Sequence, residues 1–379
     1  MVQTRNQKCS KMSTAWSVAS VVVAFVSFSS LCSGQNADQC TTPNGTSGRC
    51  VRVRKCGFAL DYLRKDLAYF NDTSYLESLL CDTLDDGAPL ICCPRLENGP
   101  SCGPFSNRNR ITGGNDTTIG EFPWIVLLRF RARNGRVYGN CAGSLISKRF
   151  VLTAAHCFPA AKKKGWEVQS VRVAEWNHMN HRGSRDCRQL PDFNEPICRK
   201  DYAIARIAIH PAYRVNYAVH VNDIALIELV TDVELNAFVA PICLPLNGTQ
   251  LGQHGDTKGR EFTAAGWGAT EPDSGMSDVM MQIDLREFDK ERCRKVFQVP
   301  SNVGIGEGHI CAGGVRGEDT CHGDSGGPLM EFVDGAWYLM GITSFGWPRC
   351  GKEGVPGVYT NVSHYIGWIE HEVFRGILA

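Results

Sequence analysis

Net charge is nearly absent from this chain of 379 residues: 40 Lys and Arg stand against 39 Asp and Glu, a formal charge of +1. Such a balance gives no global attraction to nucleic acid or to an anionic membrane, so neither is expected as a partner, and charge-based specificity has to be local. An apolar run of the roughly 20 residues that a membrane-spanning helix needs is lacking too. The longest, from about Ala15 to Phe28, is shorter and broken by serines; it follows Arg5, Lys8 and Lys11 and leads into the small residues Ser29 to Gly34. That pattern reads as a signal peptide, residues 1–34, cut near Gly34. Repeated C-x-x-C pairs are also missing, so the 18 cysteines read as disulfide partners rather than zinc ligands. Cys9 and Cys32 would leave with the signal peptide, and the sixteen that remain are an even number, as a closed disulfide set requires. All of this points to a secreted protein in an oxidising, extracellular compartment. Five N-x-S/T sequons, at Asn44, Asn71, Asn115, Asn247 and Asn361, are candidate glycosylation sites.

A hydrophobic content of 43% is enough for at least one substantial core. Six cysteines, Cys40, Cys50, Cys56, Cys81, Cys92 and Cys93, crowd into a segment too short to rely on such a core, which reads as a small disulfide-held module. Adjacent Cys92 and Cys93 cannot readily join each other without strain, so each staples a different earlier cysteine. From Pro94 to Arg110 the chain (PRLENGPSCGPFSNRNR) has the composition of an exposed linker open to a protease. Beyond Ile111 come short apolar runs, among them WIVLL, VRVAEW, IARIAI, DIALIEL and WYLMGITSF, separated by Gly, Pro and Asn. They predict an all-β body of barrel or sandwich type. At the C-terminal end Val362, Ile366, Ile369 and Val373 fall at helical spacing and predict one closing amphipathic helix. Two basic stretches, Arg129 to Arg136 and Lys162 to Lys164, are expected on exposed loops.

Three segments carry the chemistry, in the order LTAAHC around His156, NDIALIEL around Asp223 and GDSGGP around Ser325. Serine is a weak nucleophile at its free pKa and needs a base within hydrogen-bond reach, which His156 supplies. Asp223 would fix the imidazole tautomer and stabilise the imidazolium, without taking the proton itself. The other nine histidines, His178 and His181 among them, read as structural or surface residues. The order His, Asp, Ser separates this set from other hydrolases that use the same three residue types in a different order.

On these motifs, with ITGG, FPW, AGSLIS, PICLPL, GWG and PGVYT, residues 111 to 375 resemble the chymotrypsin-like serine proteases, and the protease domain is drawn as 111–379. The resemblance implies a double β-barrel with the triad between the barrels, an oxyanion hole from the N–H groups of Gly323 and Ser325, and catalysis without a cofactor. It implies that Asp319 forms the base of the pocket for the residue before the cut bond, beside Thr320, with Ser344, Gly346 and Gly357 lining the pocket. A carboxylate there requires a cation, so cleavage after arginine or lysine is expected. Phe345 departs from the more usual tryptophan, and Pro356 stands where sodium-regulated relatives carry tyrosine, so sodium activation is not expected. NRNR followed by ITGG resembles a zymogen activation site: cleavage after Arg110 would free the Ile111 amine to pair with Asp324. The disulfides carried over by position are Cys141–Cys157, Cys293–Cys311, Cys321–Cys350 and the tether Cys102–Cys243. Cys187 and Cys198 remain to close their own loop.

The six-cysteine spacing with its final Cys92-Cys93 pair resembles a clip domain, drawn as residues 35–94 with residues 95–110 as linker. It implies the pairs Cys40–Cys92, Cys50–Cys81 and Cys56–Cys93. Proteases so equipped act in arthropod immune and developmental cascades, which implies prophenoloxidase or a Toll-ligand precursor as substrate, an upstream activating protease, a serpin-type inhibitor and the haemolymph as location. Alternatives are a developmental-patterning protease or a non-catalytic clip-protease adaptor; adaptors usually lack part of the triad, which is complete here. The loop AEWNHMNHRGSRDC resembles a calcium loop, with Glu175, Asn177 and Asp186 as oxygen ligands for a structural calcium.

Overall fold

The structure is a computed structural model and describes residues 39–57, 59–60, 74–84, 86–105, 116–177, 187–188, 197–216, 219–246, 259–269, 275–298, 304–321, 323–347 and 350–375. The signal-peptide segment, Arg110, Ile111, Asp186 and the sequons at Asn71, Asn115 and Asn247 lie outside the described residues.

Six strands, Ile125–Arg131, Val137–Leu145, Phe150–Thr153, Glu167–Val173, Lys200–Ile209 and Ala225–Leu229, close into an antiparallel barrel. Alternation explains closure: Val126, Leu128, Phe130, Val151, Val171 and Ile227 are fully enclosed, as side chains pointing into a barrel of this size must be. A second sheet of six strands runs in the order Met281–Arg286, Glu261–Gly266, Pro328–Val333, Ala336–Phe345, Pro356–Asn361, His309–Gly313. Its two outer strands meet through a single bridge, Glu287 to Ala312, so this half is a sheet curled nearly shut. One apolar cluster spans both halves, with Trp124, Trp267 and Trp337 at its centre. The Trp267 indole N–H donates to the Trp176 carbonyl at 3.0 Å and locks one half against the other.

The helix predicted at the C-terminal end is Ile366–Phe374, entered through the 3-10 turn Val362–Tyr365. Two local expectations are corrected. Arg129 and Arg131 continue the strand Ile125–Arg131, and Arg129 pairs with Asp201, because strand pairing outcompetes the loop that the charges implied. Lys162 and Lys163 close the helix Cys157–Lys163, where cations suit the carbonyl end.

The N-terminal module is a four-stranded antiparallel sheet ordered Gln39–Thr41, Ser47–Arg52, Pro89–Pro94, Leu80–Thr83. Disulfides join Cys40 to Cys92, Cys50 to Cys81 and Cys56 to Cys93. They are needed: the buried cluster here holds Cys56, Ala59, Leu79 and Ile91, completed by Phe374 from the C-terminal helix. Burial at about 1.5–3 kcal/mol for a large apolar side chain falls far short of ordering such a segment at ~1–2 kcal/mol per residue.

The linker is less free than its composition implies. Asn98 exchanges two hydrogen bonds with the Leu244 backbone, at 2.8 Å each. Gly103 donates to the Pro241 carbonyl and accepts from the Trp337 N–H, and Cys102 is bonded to Cys243. Residues 98–103 are therefore strapped to residues 241–244 and to Trp337 of the second sheet. Of the sequons described, Asn44 stands exposed in a turn, whereas Asn361 is half-buried with its amide nitrogen donating to the Glu307 carbonyl. A glycan at Asn361 would have to displace that bond.

Candidate active site

Strand register brings the first two residues together. Ala225 pairs with Thr153, so the turn leaving Phe150–Thr153 faces the turn entering Ala225–Leu229, and His156 meets Asp223. The His156 main-chain N–H donates to Asp223 Oδ1 at 2.8 Å, and its Nδ1 lies 2.8 Å from Oδ2. The carboxylate can only accept, so the ring proton is assigned to Nδ1 and Nε2 keeps its lone pair. Asp223 is almost wholly enclosed; its Oδ2 also accepts from the Ser344 hydroxyl, and its carbonyl from Thr360 Oγ1 at 2.7 Å. Burial pushes its pKa up, but the charge and hydrogen bonds of His156, with those of His220, outweigh it and hold the carboxyl well below the usual range.

Ser325 sits in a turn set by its neighbours. Asp324 N–H donates to Cys321 O at 3.0 Å, Gly326 N–H to Thr343 O at 2.9 Å, and the Ser325 carbonyl accepts from Ala142 N–H at 2.8 Å, tying the turn to the first barrel. Gly326 has φ of +78°, and a Cβ there would stand 2.3 Å from Thr153 Oγ1, so no other residue fits. Among the described residues the N–H groups of Gly323 and Ser325 have no acceptor, while the Asp324 N–H between them is taken. The Ser325 hydroxyl forms no hydrogen bond with His156 in this structure.

Asp319 and Asp324 are held differently. Asp319 Oδ2 accepts from Gly351 N–H at 3.2 Å, but Oδ1 is buried with no partner. Burial raises its pKa to about 6 despite the lowering effect of the Gly351 and Thr320 amides. A Cβ on Gly357 would approach Asp319 Oδ1 to 2.9 Å, so this glycine keeps the space beside the carboxylate clear, whereas one on Gly346 would meet only the Gly357 Cα at 3.9 Å. Thr320 Oγ1 hydrogen-bonds with the Tyr359 hydroxyl beside it, at 2.9 Å. Asp324 accepts from Gly268 N–H at 2.7 Å and Cys321 N–H at 3.0 Å; complete enclosure still raises its pKa. Gly266 and Gly268 make room for it, since a Cβ on either would fall within 2.3 Å of its carboxylate oxygens.

Comparison with known proteins agrees with this geometry. Residues 111–369 match the family model Trypsin, and residues 40–93 match the Regulatory CLIP domain of proteinases. The chain belongs to the clip-domain serine proteases. It is 66% identical to CLIP domain-containing serine protease B14 of Anopheles gambiae, over 91% of this chain and 94% of that one. It is 35% identical to phenoloxidase-activating factor 3 of Holotrichia diomphalia, over 89% and 94% of the two chains. The crystal structure of the Drosophila Grass clip serine protease of the Toll pathway shares 28% identity with a TM-score of 0.59, covering 90% of this chain and 99% of that one. The protease is thus a serine endopeptidase with a regulatory clip module.

Within the protease, three further disulfides are described. Cys141 joins Cys157, Cys293 joins Cys311 and Cys321 joins Cys350. Cys198 is disulfide-bonded and stands opposite Cys187 in the pairing of Ile197–Cys198 with Cys187–Arg188. The Ser344 hydroxyl donates to Asp223, and the residue is nearly enclosed. One expectation needs correction. His220, grouped with the structural histidines, lies in the site, its Nδ1 3.4 Å from Asp223 Oδ2. Its place three residues before Asp223 is the one sequence signal that it had.

Of the residues suggested for calcium, Asp186 lies outside the described residues, Asn177 keeps a buried Oδ1 without a partner, and Glu175 is met by protein cations. Glu175 is enclosed between two guanidiniums, Arg172 Nη1 at 3.4 Å and Arg199 Nη1 at 3.1 Å. Burial pushes its pKa up, against the pull of both arginines. Arg199 also donates to the Asn177 carbonyl at 3.2 Å, the kind of oxygen a calcium would need. At the Glu175 carboxylate and the Asn177 carbonyl a guanidinium supplies the positive charge.

Proposed function

We propose that this protease is a secreted zymogen, switched on by cleavage after Arg110, that hydrolyses peptide bonds following arginine or lysine in protein substrates of an extracellular immune cascade. The observation that carries the specificity is the buried, unpartnered Oδ1 of Asp319 beside the space left by Gly357. A guanidinium or ammonium on the substrate would supply the missing partner and offset the desolvation.

In the reaction, the Ser325 hydroxyl attacks the scissile carbonyl while His156 Nε2 accepts its proton. Asp223 keeps the imidazole in the tautomer that can do so and stabilises the imidazolium. The developing oxyanion is received by the N–H groups of Gly323 and Ser325; loss of one such donor costs about 10²–10³ in turnover. His156 then returns the proton to the leaving amine, and water releases the acyl group by the reverse sequence. No cofactor enters.

Activation would deliver the Ile111 ammonium to Asp324, whose enclosed carboxyl is held by two amides and, among the described residues, by no cation. Because Asp324 adjoins Ser325, that pair would fix the backbone of the oxyanion hole. The cascade setting rests on relatives named melanization protease 1, from Drosophila melanogaster, and phenoloxidase-activating factor 3. Prophenoloxidase or a Toll-ligand precursor in haemolymph is then the substrate, with an upstream trypsin-like protease as activator and a serpin as inhibitor.

Purified zymogen is treated with trypsin, cleavage at Arg110 is verified by N-terminal sequencing, and arginyl, lysyl and leucyl peptides are assayed alongside an Arg110→Gln control. Arginyl and lysyl hydrolysis that appears only after cleavage is expected. Equal hydrolysis of the leucyl peptide would refute the specificity, and full activity in Arg110→Gln would refute the switch. Profiling the activated enzyme against candidate precursors then distinguishes the two substrates.

A further inference from the structure

His220 has no part in the reaction as derived, yet its ring is fixed inside the site. It meets His156 edge to face with centroids 5.2 Å apart, and stacks on Phe345 at 5.6 Å. Tyr213 lies on a third side, its hydroxyl 3.5 Å from His220 Nδ1. The backbone is pinned as well: His309 accepts from Gly306 N–H at Nδ1, so its Nε2 carries the proton and donates to the His220 carbonyl at 2.8 Å. Asp223 Oδ2 accepts from His156 and Ser344, and His220 Nδ1 adds a third contact to the same oxygen at 3.4 Å.

We infer that His156, His220 and Asp223 form a binding site for a first-row transition-metal ion of the zinc type, through which the free ion shuts the protease off. The inference builds on the reading of His156 as general base. Ligand atoms of the three residues lie within 4.8 Å of one another. Tetrahedral zinc with bonds of ~2.0–2.2 Å sets its donors about 3.4 Å apart. Asp223 Oδ2 and His220 Nδ1 already stand at 3.4 Å, and the His156 Nδ1 contact of 2.8 Å has only to lengthen. Two imidazoles and one carboxylate suit zinc or copper rather than magnesium or calcium. Both histidine side chains keep a solvent-accessible face, at 13% and 20% exposure, by which the ion could enter and a water could fill the fourth position. The nearby Cys141 and Cys157 are bonded to each other and offer no thiolate.

Inhibition follows from the tautomer. Coordination through His156 Nδ1 requires the lone pair there, so the ring proton moves to Nε2. That is the atom that must accept the Ser325 proton. The metal therefore disables the base without displacing the nucleophile, and the charge it adds beside the ring opposes formation of the imidazolium.

The test is titration of the activated, metal-free protease with zinc chloride, followed by hydrolysis of an arginyl peptide. At saturating zinc the rate should fall at least about tenfold and recover with EDTA, while magnesium and calcium at the same concentrations leave it unchanged. In His220→Leu, and in His220→Gln as a second variant should the first fold poorly, each normalised to its own metal-free rate, the zinc needed should rise at least roughly tenfold. Calorimetry on activated Ser325→Ala should show one zinc bound per chain, and the added His220→Leu should abolish that heat. No inhibition by zinc, or equal inhibition with and without His220, overturns the site. If the metal-free enzyme fails to cut the peptide while Ser325→Ala still binds zinc through His220, the site stands and the proteolytic reading falls.

Discussion

Asp319 shows how a single side chain can be unfavourable to the empty protein and, on the proposed specificity, favourable to its complex. Its pKa is raised from the ordinary 3.8 to about 6, so the folded state binds its proton more tightly than the unfolded chain does. The stability this contributes is present below about pH 4 and is lost as pH rises through about 6. A bound benzamidine supplies the absent cation, so the gain in melting temperature it causes should be small at pH 5 and larger at pH 8; a gain that does not vary with pH would contradict the assignment. Replacing the carboxylate, as in Asp319→Ser, should lower kcat/KM for an arginyl peptide by roughly 10⁴, the discrimination a site loses when a polar partner is removed. Steady-state kinetics against arginyl and leucyl peptides checks it. Asp319 was legible in the sequence because it lies six residues before Ser325 in one continuous motif. The bond from the Ser344 hydroxyl to Asp223 was not legible, because its direction depends on how the strand packs on Asp223. Ser344→Ala removes one hydrogen bond to a buried charge, for which about 1.5–3 kcal/mol is typical, and should lower kcat about tenfold or more with little change in KM.

Elements, rather than motifs, decide what surrounds Glu175. Arg172 lies in the strand Glu167–Val173, and Arg199 directly precedes Lys200–Ile209; pairing of Lys200 with Val173 brings both arginines to the one carboxylate. The sequence showed oxygen ligands in a loop and pointed to a hard cation, because Arg199 stands 24 residues from Glu175 and only the register joins them. The same limit hid His220, whereas the apolar alternation of the strands and the helical spacing at 362–373 were plain in the sequence. Removing one side of a buried ionic cluster leaves a charge uncompensated, at a typical cost of about 3–5 kcal/mol; with Arg172 retained, Arg199→Gln should fall near the lower bound. Chemical denaturation measures this. In the parent protein EDTA should leave the melting temperature unmoved, because the stabilising cation is a side chain.

On the scale of the whole molecule, the clip module and the protease share a core as well as a covalent tether. Phe374 of the closing helix completes the cluster around Cys56, Leu79 and Ile91, Val373 packs on its edge, and Glu370 accepts from the Leu96 N–H at 3.0 Å. The disulfide Cys102–Cys243 would keep the module attached after cleavage at Arg110, but a tether alone would leave it free to swing. The shared core predicts that it does not. In Phe374→Ala the module loses its largest apolar partner, at about 3–5 kcal/mol for such a truncation, so its local opening should become at least ~100-fold more frequent. Hydrogen exchange read by mass spectrometry should then show faster exchange at Leu79 and at 91–92, with the strands around His156 and Ser325 unchanged. Peptidase activity after activation should persist, because the helix end lies in the clip contact and not in the cleft. If exchange in the module is the same in both proteins, its fold rests on the disulfides alone and the contact with the closing helix carries no weight.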